Sequence, residues 1–261
     1  RLSEFEEENG IIYDRLQREA ISNALTKGIM ILTGGPGTGK TTTLNAMISL
    51  LEEAGADIAL AAPTGRAAKR MSELGGREAK TIHRLLEAAW DDEDKHRFKR
   101  DESNPLKANV VIIDELSMLD VTLFESLLRA MSVDCRLILV GDVDQLPSVG
   151  AGNVLHDLIE SETVPVVKLD RVFRQAMKSR IVVSAHQIIR GEMPDLTVDK
   201  KSDFFMMNRN TPEQTANLIS DLFCERLKKS YNFSPMTDMQ VLCPTRKGRC
   251  GTVSLNNLIQ A

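Results

Sequence analysis

The sequence predicts a doubly wound α/β fold on a parallel sheet, with the start of a second α/β unit behind it. Three observations point there. Short apolar runs at 29–33, 58–62, 110–113, 137–140 and 164–169 alternate with helical segments through the first two-thirds of the chain. Several of these runs are unbroken by polar residues, as strands covered on both faces must be. A glycine-rich loop, Gly34-Gly35-Pro36-Gly37-Thr38-Gly39-Lys40-Thr41-Thr42, separates the first run from a helical segment.

Taken in order, Ile29–Leu32 reads as a buried strand entering the loop and Thr42–Ile48 as a helix leaving it. The loop fits G-x-x-x-x-G-K-[ST]. Its glycines let the backbone curl until the N–H groups point inward at an anion, and the helix N-terminus adds to the positive potential. Gly35, Pro36, Gly37, Thr38, Gly39, Lys40, Thr41 and Thr42 are therefore the candidate nucleotide-binding set. Lys40 is expected to reach the β- and γ-phosphates and Thr41 to offer its hydroxyl to Mg²⁺. The order strand, loop, helix argues against a chance glycine-rich turn.

The run Val110–Ile113 ends in Asp114-Glu115. In a phosphate-loop enzyme an Asp at this strand end holds Mg²⁺, so Asp114 joins Thr41 as a candidate metal residue. The adjacent Glu115 can orient or deprotonate an attacking water, which points to hydrolysis rather than transfer to a substrate hydroxyl. The next run, Leu137–Val140, ends in Gly141-Asp142-Val143-Asp144-Gln145-Leu146-Pro147 and would bring Gln145 to the γ-phosphate, where a Gln can sense whether that phosphate is present.

After Leu169 the pattern restarts. Residues 175–190 read as a helix stopped by Gly191, and 203–207 as a strand. Thr211, Pro212 and Gln214 then open a helix as N-cap, first and third residues; 239–243 read as a strand and 252–260 as a helix. Two strands fall short of the five or so of a full sheet, so domains are expected at 1–170 and, in part, at 171–261. The stretch 90–104 is polar, charged and aperiodic, and reads as an insertion.

Composition narrows the classes. No apolar run approaches a membrane span and no signal peptide opens the chain. The chain begins at Arg1 rather than Met and reads as a piece of a longer protein. Cys135, Cys224, Cys243 and Cys250 lack metal-ligand spacing, so reduced thiols in a cytoplasmic protein are expected. A net charge of −4 argues weakly against nucleic acid as a partner. Local basic clusters weigh against that: Arg66, Lys69 and Arg70; Lys95, Arg97, Lys99 and Arg100; Arg246, Lys247 and Arg249.

The phosphate loop, Asp-Glu-Leu-Ser-Met at 114–118 and Gly-Asp-Val-Asp-Gln-Leu-Pro at 141–147, in that order, resemble the superfamily 1 DNA helicases, and among them the RecD/TraA-like branch of the group that moves 5′ to 3′. The fold implied is RecA-like, and the cofactors implied are ATP and Mg²⁺. Tyr13–Ile21 is similar to the family's adenine-recognition motif, with Gln17 as the adenine contact. Ala61–Ala68 resembles a DNA-contacting loop, which implies Pro63, Thr64 and Arg66 as contacts. Thr81–Leu86 resembles another, implying Thr81 and His83, with a core or capping histidine as the second reading of His83. Leu169–Gln175 resembles the motif whose arginine, here Arg174, reaches the γ-phosphate from a second domain. Val241–Gly248 resembles a later DNA-contacting segment and implies Thr245 and Arg246. The insertion, about 88–107, stands where the family has its small subdomain 1B, a hairpin or, alternatively, a surface loop. The family's Ser-Gln-Gly and Ala-Ile-Thr-Arg motifs are not in these residues. Slow hydrolysis by these residues alone is the expectation.

The resemblance thus implies an ATP hydrolase that moves along single-stranded DNA to duplex junctions and unwinds them in repair or recombination. Nuclease or repair proteins are possible partners, and a monomeric motor is expected. Two other readings stand beside it: a translocase that does not unwind, and a nucleotide-gated DNA-binding subunit of a larger nuclease complex.

Overall fold

A computed structural model describes residues 2–90, 96–173, 176–197 and 202–260. The described residues divide between Asp195 and Leu196 into two compact units. In the first, the elements run α1 (Leu2–Asn9), α2 (Arg15–Thr26), β1 (Ile29–Gly34), α3 (Lys40–Glu53), β2 (Ile58–Ala62), α4 (Gly65–Gly75), β3 (Ala79–Thr81), α5 (Ile82–Leu85), β4 (Ala88–Trp90), β5 (His96–Phe98), β6 (Val110–Ile113), α6 (Val121–Arg129), β7 (Arg136–Gly141), α7 (Val154–Glu160), β8 (Val166–Leu169) and α8 (Arg180–Ile189).

Six strands form one parallel sheet in the order β3-β2-β6-β7-β1-β8. This is the doubly wound α/β fold that the apolar runs predict. Period-two alternation sends each strand's side chains to two cores. Met30, Leu32, Ile112, Ile138 and Val140 pack with α2 and α3 on one face. Ile31, Val111, Ile113, Leu137 and Leu139 pack with α5, α6 and α7 on the other. β8 begins at Val166 rather than residue 164, because Pro165 has no N–H for the ladder and offers only its carbonyl, to Ile31 N at 2.8 Å.

The topology places the site. Chain order leaves β1 for β2, which lies on the far side of β6 and β7, so the loops after β1, β6 and β7 meet beyond the carboxyl ends of the strands.

The insertion holds an antiparallel pair, Ala88 opposite Phe98 and Trp90 opposite His96; residues 91–95 lie outside the described residues. Its base is fixed by Arg100, whose guanidinium donates to Glu87 Oε1 at 2.6 Å and to Pro105 O at 3.2 Å.

The second unit contains α9 (Pro212–Asp221), a π-helical turn at Leu222–Arg226, α10 (Leu227–Tyr231) and α11 (Thr252–Gln260). Thr211 caps α9, accepting from Gln214 N at 3.2 Å, with Pro212 at the first position, as the sequence predicts. The strands expected at 203–207 and 239–243 do not form. A strand exists only where a neighbour takes its N–H and C=O groups, and among the described residues neither segment has one.

Candidate nucleotide site

Close approach explains the glycines of the phosphate loop. A Cβ on Gly34 would lie 2.7 Å from Leu169 O and 2.8 Å from Thr38 Oγ1, and Gly37 and Gly39 have φ of +77° and +87°. Thr38 Oγ1 donates to Gly35 O at 2.8 Å, which closes the turn. Lys40 Nζ donates to Gly34 O and, at 3.2 Å, to Gly35 O, so the ammonium lies across the loop it must serve. Thr41 and Thr42 are exposed at the start of α3, whose N-terminus opens on the same cleft.

That cleft has a volume of about 910 Å³. Asp114 and Glu115 face it from β6, Asp142, Asp144 and Gln145 from β7, and Lys40 and Arg70 are the cations among its lining residues. Asp114 Oδ1 accepts from Glu115 N at 2.8 Å, and this tight turn holds Glu115 at φ +56°, a strained value for a residue with a Cβ. Burial pushes the carboxyl of Asp114 up from its ordinary range, against the pull of Lys40 and Arg70. Burial and then the Asp114 charge push Glu115 the same way. Asp142 is only 3% exposed and accepts from Gln145 Nε2 at 3.3 Å and Asp144 N at 3.1 Å, so a buried carboxylate holds the exposed Gln145 at the cleft.

The structure thus brings together Gly35 to Thr42, Asp114, Glu115 and Gln145. It does not place Gln17 in the cleft lining. Gln17 is buried and closes a capping box with Asp14, its Oε1 accepting from Asp14 N at 3.1 Å. Its Nε2 nonetheless lies beside Gly39, 2.6 Å from where a Cβ would be. Arg174 lies outside the described residues. Its neighbour Phe173 lines the cleft, with its N–H donating to Gly37 O at 3.2 Å, and His186 Nε2 lies 3.2 Å from Pro36 O. These contacts tie Phe173 and His186 to the phosphate loop, within the compact unit that ends at Asp195. Phe173 and Arg70 line the cleft and His186 lies beside its loop at Pro36, and the sequence assigned none of the three to it.

The expected DNA contacts of the first unit cluster at one sheet edge. Ala62 pairs with Thr81 across β2 and β3, so the loops that follow these strands emerge together. Thr64 Oγ1 caps α4, accepting from Ala67 N at 3.3 Å, and Thr81 Oγ1 caps α5, accepting from Arg84 N at 3.2 Å. Arg66 is exposed on the first turn of α4 and Pro63 half-buried before it. His83 packs its ring 5.8 Å from that of Phe98, at the foot of the hairpin. Thr245 and Arg246 belong to the second unit, where their carbonyls accept from Thr252 N and Val253 N at the start of α11.

Among the described residues no helix is long and apolar enough to cross a membrane, and no group of three or more His, Cys, Asp or Glu forms a metal cluster. A hydroxyl and one carboxylate, Thr41 and Asp114, fit Mg²⁺, which completes its shell with substrate phosphates and water.

Residues 17–151 match the family of the AAA domain. The chain is 38% identical over 233 residues to the ATP-dependent RecD2 DNA helicase of Deinococcus radiodurans, an alignment covering 89% of this chain and 30% of that protein. It is 44% identical over 167 residues to the RecBCD enzyme subunit RecD of Mycolicibacterium smegmatis, covering 55% of this chain and 30% of that protein. The chain thus spans about a third of the length of these relatives. The crystal structure of the Pif1 helicase from Candida albicans shares the fold, with a TM-score of 0.55 and 21% identity over 82% of this chain and 54% of that one.

Proposed function

The chain belongs to the AAA domain family, as a RecD-like member of superfamily 1, and from that premise we propose that it is the ATP-binding part of a DNA helicase motor that moves 5′ to 3′ on single-stranded DNA. One observation carries the reading. The phosphate loop, Asp114, Glu115 and Gln145 line one cleft at the carboxyl ends of the strands, and the Thr64 and Thr81 loops leave the next two strands of the same sheet.

In this reading the loop amides and Lys40 bind the nucleotide's phosphates. Thr41 and Asp114 are the residues that would hold Mg²⁺, which when bound neutralises charge on the β- and γ-oxygens. Glu115 orients a water and accepts its proton on the carboxylate. Gln145, anchored by Asp142, reports on the terminal phosphate. Thr64, Arg66, Thr81 and His83 face the DNA backbone, where hydroxyls, capping amides and cations bind without reading sequence. Because a relative is named a subunit of the RecBCD enzyme, a nuclease complex as partner is part of the proposal.

The test uses the full-length protein and its Lys40→Ala variant. Single-stranded DNA should raise ATP hydrolysis severalfold, a duplex with a 5′ tail should be opened in preference to one with a 3′ tail, and Lys40→Ala should lose both activities while retaining DNA binding. Hydrolysis indifferent to DNA would sink the proposal. DNA-stimulated hydrolysis without strand displacement would leave a translocase, and unchanged complex function in Lys40→Ala a scaffold.

A further inference from the structure

We propose that Arg70 is a second phosphate-binding cation of the nucleotide cleft, and that α4 carries its position to the loop at Thr64–Arg66. The coupling to DNA rests on the helicase reading above; the phosphate contact does not.

Helix α4 lines the cleft with Ala67, Arg70, Met71 and Leu74, the spacing of a single helical face. On that face Arg70 is the only charge. It stands opposite a strongly acidic wall, Asp114, Glu115, Asp142 and Asp144, and its field acts on both Asp114 and Glu115. Lys40, the other cation of the lining, donates to carbonyls of its own loop. The guanidinium of Arg70 makes no hydrogen bond or ion pair among the described residues. Its neighbours on the helix supply no partner. Positions 66 and 74 are Arg and Leu, and Glu73 is held by Lys69 at 3.6 Å. An exposed arginine on a helix is ordinarily solvated surface, but this one is aimed into the cleft that the phosphate loop forms. A planar fork of N–H donors suits a terminal phosphate, which it can bind with two parallel bonds.

The same helix begins at the expected DNA contacts. Thr64 is its N-cap and Arg66 lies on its first turn, so Arg66 and Arg70 sit one turn apart, about 6 Å along the axis. Buried Ala68 and Met71 fasten the helix to the sheet, and Asn45 of α3, just past the phosphate loop, donates to Leu74 O at 3.5 Å. A short, capped helix moves as one body. A phosphate backbone drawn onto Thr64–Arg66 therefore shifts the guanidinium of Arg70 relative to the phosphate loop, and by reciprocity a terminal phosphate on Arg70 alters the grip on DNA.

Arg70→Ala, Arg70→Lys and Arg70→Gln in the full-length protein test this, with two readouts. The first is the ratio of affinities for a non-hydrolysable ATP analogue and for ADP. The second is the fold-stimulation of ATP hydrolysis by an oligothymidylate. Loss of a charge-assisted phosphate contact should weaken analogue binding about tenfold or more in the Ala and Gln variants, with ADP affected less, and Lys should restore part of the loss. Stimulation by DNA should fall in the same order. Gln keeps the length of the stem and serves should the Ala variant misfold. Wild-type analogue-to-ADP ratios in the folded variants, with wild-type stimulation, would overturn the inference. Absence of DNA stimulation in the unaltered protein would instead remove the helicase reading, and the analogue-to-ADP ratio would still decide whether Arg70 binds phosphate.

Discussion

Asp114 is a carboxylate that the fold holds against its own preference. Burial raises its pKa and that of Glu115 beside it, so the folded chain binds these protons more tightly than the unfolded chain does. Stability is therefore lower once pH rises above the ordinary carboxylate range, and it recovers as pH falls through the raised values. Asp114→Asn keeps an Oδ1 to accept from Glu115 N and removes the buried charge. In Mg²⁺-free buffer near neutral pH the variant should melt a few degrees above the parent, and the difference in Tm should shrink as pH is lowered toward 4; in Mg²⁺-containing buffer the full-length variant should lose the proposed ATP hydrolysis. A variant that melts at or below the parent at neutral pH would show that burial of this charge carries no penalty. Asp114, Glu115 and the loop glycines were legible because each motif is contiguous and its chemistry follows from residue type. Arg70, Phe173 and His186 were not, because only tertiary packing brings them to Gly35–Gly39. Gln17 illustrates a local pattern with two meanings: Asp14-x-x-Gln17 is also a capping box, and in the structure its Oε1 serves the cap.

At the level of elements, β1, β2, β6 and β7 followed from unbroken apolar runs, since burial on both faces of a parallel sheet leaves no polar position to confuse the reading. The pair β4–β5 was left open between hairpin and loop because the 90–104 stretch that contains most of it is polar, charged and aperiodic. It is held by three paired positions, the His83–Phe98 contact and Arg100 rather than by a hydrophobic stripe. The failed strands at 203–207 and 239–243 show the converse, since apolar content without a ladder partner does not make a strand. Helix α4 lies between these cases. It is amphipathic, begins at an N-cap and ends at Gly76 with φ +64°. Its cap can be tested apart from any DNA contact. Thr64→Ala removes the acceptor for Ala67 N and should lower unfolding stability in urea by about 1 kcal/mol, with Thr64→Ser restoring most of it. An unchanged midpoint in Thr64→Ala would mean that α4 is held by Ala68 and Met71 alone.

Over the whole molecule, apolar burial is divided very unevenly. The first unit has two cores, one on each face of its sheet, whose largest side chains are fully shielded from water. In the second, among the described residues, the fully buried apolar side chains are Ala216 and Leu255, while Phe205, Met206, Met207, Phe233 and Leu242 are exposed. Local opening is resisted by the apolar surface it must expose, so the two units should differ in protection although they share one chain. Hydrogen exchange on these residues should show the amides of β1, β6 and β7 exchanging only near global unfolding. The amides of α9, α10 and α11 should exchange faster by several orders of magnitude, because far less buried area opposes their opening. The ordering matters for function. In the proposed function the nucleotide site lies on the more protected unit, and the proposed DNA contacts Thr245 and Arg246 lie on the less protected one. Slow exchange in α9 and α11, equal to that of the central strands, would refute this division and require a source of stability in the second unit other than its buried side chains.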